Sequence, residues 1–195
     1  MDLMIRKLEE RHLPMVDAFS CTETPEMLDS YNAKVRRRIR KHSKEMENFL
    51  KEEAFEEQEK GLNTTHLFID REIGKIAAYV SLCNDSIGLE LKERDEMGLT
   101  YTTVPALKIA RLAVANEYQG KGMGKSLIQF SAYMGRKIKE LSGLAFLTLD
   151  CYEHRVSFYE SVGFVRNMVQ PVVLPYDTPI SMRIGLEEYL ERQSE

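Results

Sequence analysis

The chain has 195 residues, 43% hydrophobic and 30% charged, with 31 acidic against 27 basic residues and a net charge of −4. Such a length suits one domain over 1–195 with a substantial core, and the apolar share argues against disorder. The acidic balance disfavours broad nucleic-acid binding, no apolar run reaches membrane-spanning length, and the three scattered cysteines point to free thiols in a reducing cytoplasm without a metal site.

Leu3–Leu8 reads as an opening strand, with charges through the first ten residues that speak against a signal peptide. His12–Ser20 reads as a short helix. Neither Pro nor Gly occurs between Glu26 and Lys60, so one long helix, or two in succession, is expected there. Its first half is basic (Lys34, Arg36, Arg37, Arg38, Arg40, Lys41, Lys44) and its second half acidic, from Glu45 to Glu59. A solvated helix laced with opposite charges accounts for that pattern. The alternative is a basic face turned toward an anionic substrate or partner.

Thr64–Asp70 and Lys75–Cys83 form a hairpin pattern across Arg71–Gly74. Asn84–Thr103 is polar and is expected to be an irregular loop over the active site. Val104–Val114 is a strand leading through a glycine-rich turn into a helix. There Met123, Leu127, Phe130, Met134, Ile138 and Leu141 recur at steps of three and four, which predicts one apolar face, with Gly143 as the stop. Leu144–Leu149 follows as a buried strand, so the two strands must pair in parallel through a right-handed crossover. A short helix from Tyr152, strands at Phe164–Met168 and Met182–Ile184 with Pro171, Pro175 and Pro179 between them, and a helix at Leu186–Gln193 complete a mixed α/β layout.

The most informative segment is Ala110-Arg-Leu-Ala-Val-Ala-Asn-Glu-Tyr-Gln-Gly-Lys-Gly-Met-Gly-Lys-Ser-Leu-Ile128. A strand, a glycine-rich turn and a helix start converge free backbone N–H groups on one point, which suits a phosphate. The segment is not a Walker A loop, because Gln119 stands where its first glycine belongs. Nor is it a dinucleotide fingerprint, since Lys125 takes the place of the third glycine after Gly120 and Gly122. A tight turn with no ligand produces the same local pattern.

The remaining phrase, Gln119-x-x-Gly122-x-Gly124, resembles the pyrophosphate loop of the GNAT superfamily of acetyl-CoA-dependent N-acetyltransferases. A second phrase, Phe158-Tyr159-Glu160-x-x-Gly163-Phe164, resembles the family's other characteristic motif and follows at the right distance. The resemblance implies a single-domain GNAT fold, with a mostly antiparallel mixed sheet, a central splayed pair of parallel strands and helices on both faces. It implies acetyl-CoA as co-substrate, held by Gln119, Gly120, Lys121, Gly122, Met123, Gly124, Lys125 and Ser126 at the diphosphate, with Arg111 beside them. The backbone of Leu112, Ala113 and Val114 would hold the pantetheine arm. Side chains at Gly122 and Gly124 would block close approach of the backbone.

The implied reaction is direct attack of a primary amine on the thioester, with Tyr159 as proton donor to the departing thiolate. A packed core ring is the simpler account of Tyr159, and the two are compatible. The base stays open among Glu90, Glu93, Asp95, Glu96, Glu117, His66 and a relayed water. Many family members carry an asparagine near the position of Tyr152.

A narrower resemblance, to the GNAT toxins of toxin–antitoxin pairs, rests on Phe19-x-Cys21, the basic helix around Arg36–Lys41 and Val104-Pro105-Ala106. It implies an aminoacyl-tRNA acceptor bound through basic patches, which the net acidity disfavours. A non-catalytic acyl-CoA-binding module is the third alternative. Pairing of two copies through the C-terminal strands would make a homodimer.

Overall fold

The computed structural model describes residues 2–170 and 178–193. Its elements are β1 (Leu3–Lys7), α1 (Leu13–Val16), α2 (Ala33–Asn48), α3 (Ala54–Glu59), β2 (Thr64–Asp70), β3 (Lys75–Gly88), α4 (Leu91–Met97), β4 (Thr103–Val114), α5 (Met123–Leu141), β5 (Phe146–Cys151), α6 (Glu153–Ser161), β6 (Val165–Arg166), β7 (Ile180–Gly185) and α7 (Leu186–Arg192). The hydrogen-bonded strand order is β1-β2-β3-β4-β5-β7-β6. The expected α/β class with a mixed sheet is present. No helix among the described residues is long and apolar enough to cross a membrane.

Contacts gather the chain into two compact units. One holds the residues up to Leu82 together with Arg111–Ile128, and the other holds Cys83–Ala110 with the residues from Gln129 onward. In the first, β1 pairs antiparallel with β2, and β2 with β3. Residues Ile76–Leu82 of β3 are buried without a break, as befits a strand covered on both faces. Tyr79 is fully buried at the centre, edge-on to Phe19 (5.5 Å) and stacked with Phe49 (6.2 Å).

The long charged helix is divided. Asn32 caps α2 by accepting from the Val35 N–H at 3.0 Å, and a π-helical turn at Phe49–Glu53 separates α2 from α3. The hydroxyl of Tyr79 donates to the carbonyl of Met46 at 2.8 Å, just before that irregular turn. Ile39, His42, Ser43 and Glu47 form the buried face of α2.

In the second unit, β4 and β5 are parallel over Ala106–Ile109 and Phe146–Leu149. Both strands run on past this four-residue match, β4 to Val114 and β5 to Cys151. Strand β7 pairs antiparallel with β5 and with β6. Ile87, Leu89, Val104, Ala106 and Phe146 form a small core, with Leu99 and Ala145 packed on it.

Four expectations change. Asn84–Thr103 is not one irregular loop: β3 continues to Gly88, and α4 follows with a capping box in which Glu93 accepts from the Glu90 N–H. That helix was illegible because it has no apolar stripe; Leu91 and Met97 are exposed. On α5 the buried positions are Met123, Leu127, Ile128, Ser131, Ala132 and Gly135, whereas Leu141 is 90% exposed. Small residues, not a longer apolar run, make that contact close: a Cβ at Gly135 would stand 3.2 Å from Leu186 and 3.3 Å from Leu144. Gly143 is not left-handed, and α5 ends two residues before it. The strand expected at Phe164–Met168 shrinks to β6, and Pro171 and Pro175 lie outside the described residues.

Candidate active site

The glycine-rich segment starts from a pinned strand end. The Ala115 N–H donates to Ala77 at 2.9 Å, and a 3-10 turn at Asn116–Tyr118 carries the chain to Gln119. Buried Tyr118 donates its hydroxyl to Asp70 at 2.8 Å; burial, then that hydrogen bond and the Asp70 charge, pushes its phenol up to about 12. The ammonium of Lys121 lies 5.8 Å from the centre of the Tyr118 ring.

Gln119 occupies the junction of strand and loop. Its side-chain amide donates to the carbonyls of Val114 (3.0 Å) and Cys21 (3.1 Å), with Asn116 Oδ1 at 3.4 Å. This side chain therefore shapes the loop from within the protein, whereas the family resemblance implies that it contacts the cofactor.

Gly120 and Gly122 have φ of 73° and 81°. Only glycine adopts that region without strain, and a Cβ at either position would meet nothing within 4 Å. The requirement is thus conformational, and it leaves open space in front of the backbone. Gly124 is the second residue of α5. The N–H groups of Lys125 and Ser126 both turn back to the Gly122 carbonyl, at 3.0 and 3.3 Å. Helix geometry leaves the amides of Gly122, Met123 and Gly124 without intrahelical acceptors, at the positive end of a 19-residue helix. Lys121, Lys125 and Ser126 are exposed beside them. Ala113 is buried, while Arg111, Leu112 and Val114 are half-buried, with the Arg111 guanidinium 5.0 Å over Phe49. An anionic diphosphate fits this cradle of open amides and flanking cations.

Tyr159 belongs to the other unit, where the FYE-x-x-GF phrase has a physical explanation. The Phe164 N–H donates to the Tyr159 carbonyl at 3.0 Å, and the Gly163 N–H to Glu160 at 3.0 Å, with Gly163 at φ 101°. These bonds make a Schellman stop, and the Tyr159–Phe164 ring contact at 5.8 Å is its apolar clasp. Phe158 packs edge-on from the other side at 5.0 Å. Burial, with Cys151 adding to it, pushes the Tyr159 phenol well above its ordinary value, against the pull of Arg155. The phenol stays protonated at neutral pH. It can donate a proton but is no base.

Most of the candidate bases have roles or partners elsewhere. Glu93 is buried in an ion pair with Arg183, Glu117 lies 3.5 Å from Lys75, and Glu96 lies 3.8 Å from Lys92. Burial, then the Lys7 charge, lowers His66 to about 4. Glu90 caps α4, and Asp95 is an exposed residue of that helix. Sequence reading missed Lys108, on β4, which meets Asp150 of β5 at 2.6 Å and Asp85 of β3 at 3.9 Å. Burial opposes its charge, but the Asp150 bond and both carboxylates raise its pKa overall. No periodicity announces such a cross-strand pair.

Comparison with known proteins places these observations. The model of the acetyltransferase (GNAT) domain family matches residues 29–173. A structure described as a bacterial toxin superposes with a TM-score of 0.74 at 16% identity, over 100% of this chain and 96% of that one. AtaT complexed with acetyl-methionyl-tRNAfMet gives 0.73 at 16% identity, over 100% of both chains. A Tyr→Phe variant of AtaT, bound to the C-terminus of the antitoxin AtaR and acetyl-CoA, gives 0.66 at 16% identity, again over 100% of both.

Proposed function

The chain belongs to the GNAT acetyltransferase family, and from that premise we propose that it acetylates a primary amine by direct attack on the thioester of acetyl-CoA. The paired left-handed glycines, Gly120 and Gly122, with open space before them at the start of α5, carry this reading. The amides of Gly120–Gly124 with Lys121, Lys125 and Ser126 hold the diphosphate, and the backbone of Leu112–Val114 orients the pantetheine arm. Acetyl-CoA supplies the acetyl group. As the new N–C bond forms and the C–S bond breaks, Tyr159 gives its proton to the thiolate sulfur, the acylated nitrogen releases one proton to solvent, and the tyrosine regains one from solvent. The ammonium of the acceptor must lose its proton before it can attack.

Release of free thiol from acetyl-CoA, followed across a panel of amines, tests this directly. Amine-dependent release with matching acetyl-amide product is expected. No release with any amine, despite tight coenzyme binding, would favour a non-catalytic acyl-CoA-binding module.

One observation favours a second reading of the acceptor. On α2, Lys34, Arg37, Lys41 and Lys44 fall at steps of three, four and three, with Arg40 beside them, all exposed. Lys41–Glu45 (3.7 Å) and Lys44–Glu47 (3.1 Å) lace the C-terminal part of the row, while Lys34, Arg37 and Arg40 precede any glutamate of the helix. Such a row suits a nucleic-acid backbone, and AtaT is a structural neighbour that carries acetyl-methionyl-tRNA. In this reading the amine is that of an aminoacyl-tRNA. Transfer to charged tRNA that weakens steeply with salt supports it; transfer only to free amines removes it. The reading includes work in the cytoplasm and pairing of two copies through the C-terminal strands, which gel filtration checks.

A further inference from the structure

We propose that Glu47 is a positioning residue for the cofactor loop, acting through the segment Ser20–Thr22. The inference rests on the reading that the loop holds acetyl-CoA. Glu47 lies on a helix of exposed charges, yet it is only 4% exposed. Four donors converge on its Oε1: the Ser20 hydroxyl (2.8 Å), the Cys21 N–H (2.8 Å), the Thr22 N–H (2.9 Å) and the Thr22 hydroxyl (2.7 Å). Lys44 reaches Oε2 at 3.1 Å. Burial alone would raise this carboxyl, but the hydrogen bonds outweigh it and hold it down to about 2. It is therefore a full negative charge at any working pH.

The same three residues turn their carbonyls to the loop. Ser20 accepts from the Asn116 N–H at 3.1 Å, Cys21 from the Gln119 amide at 3.1 Å, and Thr22 from the Asn116 amide at 2.8 Å. The segment is thus a three-residue bridge, with its donors on a buried carboxylate and its acceptors on Asn116 and Gln119, the two residues that open the loop. Gln119 also holds Val114, so one amide fixes both the strand end and the turn before Gly120. Bonds to an ionised group are stronger than neutral ones, and removing the charge loosens the segment's grip on Gln119 and Asn116. The expected cost falls on coenzyme binding and not on the proton donor, which lies in the other unit.

The test is a double-mutant cycle on the full chain, Glu47→Gln with Gln119→Ala, read by calorimetric titration with acetyl-CoA and by the split between KM and kcat. Glu47→Gln should raise Kd and KM for acetyl-CoA about tenfold, as loss of a charge-assisted bond would do, with kcat at saturation nearly unchanged. Combined with Gln119→Ala, it should cost little more than Gln119→Ala alone. Equal Kd in wild type and Glu47→Gln, or two losses that simply multiply, would overturn the bridge while leaving the cofactor reading intact. A wild-type chain with no affinity for acetyl-CoA overturns both. Should Glu47→Gln fail to fold, Ser20→Ala with Thr22→Val removes two hydroxyl donors and keeps the carboxylate. A raised Kd then supports the bridge, and an unchanged Kd overturns it.

Discussion

Two of the chain's left-handed glycine sites have opposite surroundings. At Gly120 and Gly122 the backbone turns into open space, and a Cβ would meet no atom within 4 Å. At Gly163 it turns into a packed wall, where a Cβ would stand 2.6 Å from Arg192 and 2.9 Å from Ile184. Both motifs look alike in sequence, as a glycine next to a helix end. The first leaves open space at the start of α5, and the second closes a helix so that Tyr159 is held. Open space alone does not mark a ligand, since Gly61, Gly74 and Gly98 are left-handed with nothing within 4 Å as well; the free helix-start amides beside Gly120 and Gly122 set that place apart.

Substitution at these glycines should separate the two roles. Gly122→Ala is expected to weaken acetyl-CoA binding tenfold or more, from a cost of roughly 1–2 kcal/mol in the left-handed region plus lost access to the amides. Its Tm should fall less than that of Gly163→Ala. Tyr159→Phe should lower kcat by about a hundredfold, as loss of a proton donor does, with the Kd for acetyl-CoA unchanged. Since the Tyr159 phenol is raised, wild-type activity should show no alkaline loss from this group until above its ordinary value of about 10, which a pH–rate profile measures. An alkaline fall near neutrality that vanishes in Tyr159→Phe would contradict that assignment.

Gly163→Ala combines a forbidden φ with overpacking, so about 2–3 kcal/mol of stability should be lost, lowering Tm by roughly 5–10 °C. Acetyl-CoA affinity in the folded fraction should stay as it was. A smaller effect concerns acid. Glu47 is depressed to about 2, so its contribution to stability is complete above the ordinary carboxyl value of 4.5 and is lost as pH falls from there toward 2. Glu47→Gln should flatten that part of the Tm–pH curve. Leu141→Gln, at 90% exposure, should change stability by less than about 0.5 kcal/mol, although the sequence places Leu141 on the apolar face of α5.

What could be read in advance follows from how locally each feature is encoded. The hairpin across Arg71–Gly74, the strand into the loop, the start of α5 at Met123 and the FYE-x-x-GF stop all depend on neighbouring residues, and the sequence carries them. Helix α4 was lost because its stability comes from a capping box and the left-handed Gly98, not from an apolar stripe. The burial of Glu47 and the double duty of Gln119 depend on residues far apart in the chain, Ser20–Thr22 against both α2 and the loop. No periodicity reports such contacts. The Lys108–Asp150 pair joins residues 42 positions apart and was invisible for the same reason.

Calorimetric titration of the purified chain with acetyl-CoA, with desulpho-CoA and ATP in parallel, tests the central claim most directly. Binding near micromolar, about −8 kcal/mol, to both coenzyme forms with ATP inert is the predicted result. No binding to either coenzyme form would mean that Gly120 and Gly122 shape a turn and nothing more.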